Sequence, residues 1–264
     1  MKMNDVWTMA TVVKIAAVPY PETIPFIYGI RHEDNFAAEL LLSSPADCIE
    51  LYSAGQADMA LVPATAVPEL KGAQIISEYC IASSGPFRSA LLASDSPLND
   101  IARIMIDPAA VASVQLAGRL CRDLWKISPE WFALDTADGL AASASAGDAF
   151  LLTGENADAN RSAFRYSYDL AAAWDETAGQ PFCFAVWVAR KGTPYAVTDT
   201  LQHALTFGIE HTYEAIAESG AENVCDTYEY LTRDIDYLFD EQKHKALKKF
   251  WDAGIKIVPR VNPG

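Results

Sequence analysis

Short apolar runs alternate along this chain with longer stretches in which apolar residues recur every three or four positions. Residues 11–18 read as a buried strand, stopped by Pro19 and Pro21, whose fixed backbone angle and missing donors break a ladder. Residues 39–42 form a second short strand. Ser44-Pro45 then opens a helix, with Ser44 as N-cap and Pro45 at the first helical position. Cys48, Leu51 and Tyr52 give that helix its apolar face, and Gly55 ends it. Residues 58–62 are a third strand, stopped at Pro63. Strand, helix and strand in this order predict a parallel α/β sheet, whose ligands bind beyond the carboxyl ends of the strands.

The pattern repeats on a smaller scale after Ser94. Residues 101–106 read as a strand, 109–126 as a long amphipathic helix, 131–134 as a strand, and the alanine-rich stretch after Leu134 as a short helix. Residues 149–152 are a strand closed by Gly154-Glu155, and residues 156–165 a polar surface loop. Beyond Arg190 the pattern predicts helices over 198–218, 227–237 and 241–253.

Two segments stand out. Residues 80–92 and 181–190 both run from a turn-rich or proline-marked start into an apolar strand, about half the chain apart. Two such strands suit a two-lobed binding fold, in which they carry the chain from one lobe to the other and back. The first lobe is placed at 12–94 plus 191–264, the second at 95–190, and residues 1–11 read by default as a flexible tail.

Composition narrows the partners. With 51% apolar and 21% charged residues the chain is globular, and a formal charge of -15 disfavours nucleic acid and anionic membrane, which need a basic field. Asp5 sits where a secretory signal would build its apolar region, and no apolar run reaches membrane-spanning length, so a cytoplasmic location is expected. The five cysteines are scattered and never paired as Cys-x-x-Cys, which fits reduced core thiols. The four histidines are equally scattered and read as surface or half-buried residues, so no metal is expected. A glycine-rich dinucleotide turn, a Walker loop and a His-Glu-x-x-His helix are all missing.

Seven marks lie in order along the chain: Ala17-Val18-Pro19-Tyr20-Pro21-Glu22-Thr23, Ser44-Pro45-Ala46-Asp47, Asp58-Met59-Ala60-Leu61-Val62-Pro63, the run from Cys80 to Ser89, Ser113-Val114, Tyr168-Asp169-Leu170 before Trp174, and Gly179-Gln180-Pro181-Phe182 before Ala185-Val186-Trp187. In this order and spacing, from Lys14 to about Leu247, the chain resembles the chorismate dehydratases of the futalosine route to menaquinone, and their sisters that make 1,4-dihydroxy-6-naphthoate. The resemblance favours the dehydratase over its sister. It implies an α/β fold like type II periplasmic-binding proteins, each lobe a mostly parallel sheet flanked by helices. It also implies a small dicarboxylate substrate, chorismate, and a hydro-lyase reaction that needs no cofactor.

Chorismate carries two carboxylates, an enolpyruvyl ether at C3 and a hydroxyl at C4, and losing the C3 proton with that hydroxyl makes the ring aromatic. The protein must then hold two carboxylates and stabilise developing charge. Ser44 and Ser113, at helix starts, suit carboxylates through free backbone amides, or serve as plain caps. Ser84 and Gly85 mark a turn whose amides face a ligand. Ser89 stands where the resemblance implies a substrate contact, Thr23 begins a helix after the first strand, and Tyr20 is a candidate wall.

At three places the chain departs from the pattern of that family. Glu22 replaces an asparagine; ionised it accepts hydrogen bonds but cannot donate, whereas protonated it can act as an acid toward the C4 hydroxyl. Ala110-Val111-Ala112 lacks a cation and two hydroxyls. Glu155, after Gly154, replaces an aspartate with a longer acid. Ser89 and Glu22 are therefore the catalytic candidates, and Tyr20, Thr23, Ser44, Ser84, Gly85, Ser113, Gly154 and Glu155 the binding candidates. The alternative is a non-catalytic small-carboxylate-binding protein on the same scaffold.

Overall fold

The computed structural model describes residues 12–134 and 145–261. The expected tail over 1–11 and most of the expected alanine-rich helix lie outside the described residues.

The chain begins with β1 (Val13–Ala17), a 3-10 turn (Pro21–Thr23), α1 (Ile24–His32), β2 (Ala38–Leu42), α2 (Pro45–Ser53) and β3 (Met59–Pro63). A second 3-10 segment (Ala64–Glu69) leads to β4 (Ala73–Ser83), β5 (Ala90–Ser94), β6 (Arg103–Ile106) and α3 (Val111–Leu120). Then come β7 (Glu130–Ala133), β8 (Asp148–Thr153), α4 (Glu155–Asn160), β9 (Tyr166–Asp169), α5 (Leu170–Ala178) and β10 (Phe182–Arg190). The chain ends with α6 (Tyr195–Glu210), α7 (Thr212–Ser219), α8 (Val224–Glu229), β11 (Asp236–Leu238), α9 (Glu241–Asp252) and β12 (Arg260–Val261).

Two compact units result. The first holds Met1–Ile81, Ala185–Arg233 and Tyr237–Phe239; the second holds Ala82–Phe184, Asp234–Asp236 and Asp240–Gly264. The divisions fall inside β4 and β10; β5, the apolar strand of the 80–92 segment, lies wholly in the second unit, whereas the expected bounds put it in the first. The C-terminal stretch differs from expectation: α9 groups with the second unit, not the first. Its Phe250 packs edge-on against Trp174 and Phe182, at centroid distances of 5.7 and 5.2 Å, which binds it to α5 and the start of β10.

The first sheet has the order β11-β4-β10-β3-β1-β2. β1 runs parallel to both β2 and β3, and β10 is antiparallel to β3 with Trp187 opposite Leu61. Ile15, Met59, Leu61 and Trp187 are sealed from solvent, as central strands with both faces covered require. Phe26 of α1 packs edge-on against Trp187 and Tyr237.

The second sheet has the order β12-β7-β6-β8-β5-β9. β12, β7, β6 and β8 are parallel, while β5 is antiparallel to β8 and to β9. Leu91, Met105, Phe132, Phe150 and Leu152 form the core on one of its faces. Both sheets are therefore mixed, each with a run of parallel strands at one end of its order and an antiparallel neighbour beside it.

Four sequence expectations give way. The helix expected over 109–126 ends at Leu120 and continues as a π-wound segment, Cys121–Trp125, before Lys126 turns left-handed. Within 198–218 the helix breaks at His211, whose φ/ψ of -110°/33° leaves the helical region. The helix expected over 227–237 stops in a π-wound segment, Tyr230–Asp234, and its last residues become strand β11. The loop expected over 156–165 holds most of α4.

Candidate functional site

In the second unit, β6, β8 and β9 all point the same way, because β6 is parallel to β8 and both β8 and β9 oppose β5. Their carboxyl ends therefore share one edge with the amino end of β5. α3, α4 and α5 all start along that edge, so the positive ends of three helices meet there.

The turn before β5 is closed from within. Ser83 Oγ donates to the carbonyls of Gly85 and Pro86, at 2.9 and 3.1 Å. Gly85 takes φ 154°, Ser84 is exposed, and Arg88 has a φ of 20°. Asp169 reaches this turn through Oδ2, which accepts the Phe87 amide at 2.9 Å. Its Oδ1 caps α5 by accepting from the amides of Ala171 and Ala172, both at 3.1 Å. Burial lifts the Asp169 carboxyl above its usual range and outweighs these donors and the nearby Arg161. Ser89, 7% exposed, follows the turn, and its carbonyl accepts from the Gly154 amide at 3.1 Å. Gly154 sits at φ 58°, which lets β8 turn tightly into α4. The Glu155 side chain lies outside the described part of the chain.

The start of α3 is different in kind. Its N-cap residue, Ala110, offers no side-chain acceptor, and the first helical bond runs from Val114 N to Ala110 O at 3.0 Å. The amides of Val111, Ala112 and Ser113 thus have no acceptor among the described residues. Ser113 is 8% exposed, and its hydroxyl likewise has no partner among them. Bare amides at a positive helix end, with a free hydroxyl in the same turn, suit a carboxylate.

In the first unit, β1, β2 and β3 end together at Ala17, Leu42 and Pro63. After β1, Thr23 is sealed from solvent, and its Oγ1 lies 2.6 Å from the Val18 carbonyl and 2.7 Å from that of Tyr20. Its hydroxyl proton is therefore committed to the loop. Tyr20 is half-buried at the start of the 3-10 turn. Glu22 is 2% exposed; Tyr230 Oη donates to its Oε1 at 2.5 Å, and Tyr237 Oη donates to its carbonyl at 2.8 Å. Burial, then the charge of Glu22, pushes the Tyr237 phenol well above its usual range.

Ser44 caps α2, accepting from the Asp47 amide at 3.1 Å and donating to Asp47 Oδ2 at 2.8 Å. Ser43 Oγ donates to the same oxygen at 2.7 Å, and the two hydroxyls hold Asp47 below the usual carboxylate range. This helix start already carries a carboxylate of its own chain.

One residue escaped sequence reasoning. Thr65, after β3, is 7% exposed and its Oγ1 is buried without a partner among the described residues. The available signal was a lone hydroxyl inside the apolar run from Met59 to Ala66.

The candidates thus form two groups. Tyr20, Glu22, Thr23 and Ser44 belong to the first unit, and Ser84, Gly85, Ser89, Ser113, Gly154 and Glu155 to the second. Among the described residues no group of three His, Cys, Asp or Glu side chains is arranged to hold a metal ion. No helix among them is long and apolar enough to cross a membrane.

A family profile described as menaquinone biosynthesis matches residues 13–255. Among solved structures, protein AF1704 from Archaeoglobus fulgidus is similar at a TM-score of 0.72 and 16% identity, over 93% of this chain and 97% of that one. The periplasmic aliphatic sulphonate binding protein SsuA from Escherichia coli gives 0.61 at 14% identity, over 92% and 91%. A Candida albicans gene product described as having the generic periplasmic binding protein fold gives 0.61 at 12% identity, over 92% and 90%. The likeness at these identities is one of fold, and it is the periplasmic-binding-protein fold that the resemblance implied.

Proposed function

Because the chain belongs to the menaquinone biosynthesis family, we propose that it is a hydro-lyase of the cytoplasm that dehydrates chorismate to 3-((1-carboxyvinyl)oxy)benzoate. The observation that carries this reading is the start of α3, where three amides and the hydroxyl of Ser113, a residue 8% exposed, have no partner among the described residues. Such a cradle favours one carboxylate of a dicarboxylate through oriented donors, with no cation required. Ser89 is the substrate contact on the same sheet edge, and Asp169 keeps its turn in place.

In the reaction the C3–H bond breaks, and its electron pair forms a new ring double bond as the C4–O bond breaks. The C4 hydroxyl leaves with that proton as water, and the ring becomes aromatic. The resemblance implies that the substrate's side-chain carboxylate takes the proton. The protein then orients and polarises, and the fixed donors of α3 need no reorganisation as charge moves.

A second reading, a non-catalytic binding protein for small carboxylates, is favoured by the first unit. There the Thr23 and Ser44 hydroxyls and a Glu22 carboxylate oxygen are all engaged within the protein. The deciding experiment incubates the purified protein with chorismate, beside a protein-free control, and follows the product by mass and ultraviolet absorbance. Product formed at many turnovers supports the lyase. Saturable chorismate binding without product supports the binding protein.

A further inference from the structure

A carboxylate taken out of water needs donors to replace its hydration, and the identity of those donors tells what it is for. Glu22 is 2% exposed, and Oε1 is met by Tyr230 Oη at 2.5 Å. The backbone of the same residue is met by Tyr237 Oη, at 2.8 Å from the carbonyl. Both tyrosines come from a stretch more than two hundred positions along the chain. Tyr230 opens the π-wound segment Tyr230–Asp234, a rare winding that is often found at functional positions. The Tyr237 ring sits edge-on to Phe26 of α1, 5.2 Å between centroids. On its other side the loop is tied by Thr23, whose hydroxyl holds the carbonyls of Val18 and Tyr20.

We propose that Glu22 and Tyr230 are positioning residues, whose hydrogen bond, seconded by Tyr237, fixes the 20–23 loop so that Tyr20 meets the substrate in one orientation. The proposal rests on the lyase reading and assigns Glu22 no proton transfer. An acid for the C4 hydroxyl has to touch it, and this carboxylate is enclosed with an oxygen held by a phenol. The Glu22 carboxyl acts here as an acceptor for Tyr230, which accounts for an acid at the position where the resemblance implies an asparagine.

The test uses E22Q, E22A and Y230F in the full chain, with two readouts. One is the KM and kcat for chorismate. The other is hydrogen exchange of the Thr23 and Ile24 amides, which close the turn on the Tyr20 and Pro21 carbonyls. Glutamine keeps an acceptor oxygen, so E22Q should hold turnover within about threefold, the scale of a neutral for a charge-assisted bond. Y230F and E22A should each raise KM and speed exchange about tenfold, one hydrogen bond's worth. E22Q losing about a hundredfold or more in kcat with unchanged exchange is the signature of a lost acid, and overturns the proposal. Unchanged exchange in Y230F overturns it as well. If the wild type does not turn over chorismate, the lyase reading fails, and exchange alone still decides whether Tyr230 fixes the loop.

Discussion

Asp169 joins Phe87 to the start of α5: one carboxylate oxygen takes the Phe87 amide at 2.9 Å and the other takes two amides of the helix. The turn that delivers Ser89 is therefore fixed to a helix 82 positions away in sequence. Asp169→Ala removes a cap and orphans a half-enclosed amide, at a cost of about 2–3 kcal/mol. The carboxyl is lifted by burial, so the native state binds its proton more tightly than the unfolded chain does. This group's contribution consequently falls as pH rises from the ordinary value of 3.8 through the raised native value. Urea unfolding across that window should show the gap between wild type and variant narrowing with rising pH. A gap that widens would assign the shift to the wrong sign.

The bare start of α3 gives a variant with opposed effects. Ala110→Asp supplies the missing cap and should stabilise the protein by about 1 kcal/mol. The same carboxylate would occupy the amides of Ala112 and Ser113 and repel an incoming anion. Chorismate affinity should drop about tenfold or more while the melting temperature rises. Calorimetry and a thermal melt on one sample decide it; higher stability with unchanged affinity removes the amides from the binding site.

α1 and α6 touch through glycines. A Cβ at Gly208 would stand 1.9 Å from the Pro25 carbonyl oxygen, and one at Gly29 1.9 Å from that of Ala204. Backbone cannot yield as a flexible side chain does, so Gly208→Ala should force the helices apart and cost about 3 kcal/mol. Denaturant unfolding checks the figure, and a loss below about 1 kcal/mol would show that the helices slide freely.

The thiols divide sharply. Cys48, Cys80, Cys121 and Cys183 are buried, and burial pushes Cys48 and Cys121 up to about 12; Cys225 is exposed. A thiol reagent at neutral pH should label one position in the native protein and five after denaturation. Fast labelling at two or more native positions would mean that a core opens readily.

Local chemistry made much of this legible. Ser44-Pro45 announced α2, and the strands that end near Pro19 and Pro63 emerged within a residue or two, because capping and proline act on immediate neighbours. The break at His211 carries no glycine or proline; it is made by the helix termini themselves, with Thr212 Oγ1 bonded to the Ile209 carbonyl. Strand β11 was read as helix because its apolar residues also fit a helical spacing, and only the sheet decides between the two. The serine positions of the site were visible for the same local reason. The partners of Glu22 were not, since a tyrosine 208 positions away leaves no mark on its neighbours.

The placement of α9 has a consequence for biosynthesis. Trp174 and Phe182 wait for Phe250 to cover them, and the first unit takes Tyr237 and Phe239 from nearly as late in the chain. Neither unit can close while its last segment is still inside the ribosome. A nascent chain of this protein therefore carries two unfinished cores until the stretch from Tyr237 to Phe250 has emerged.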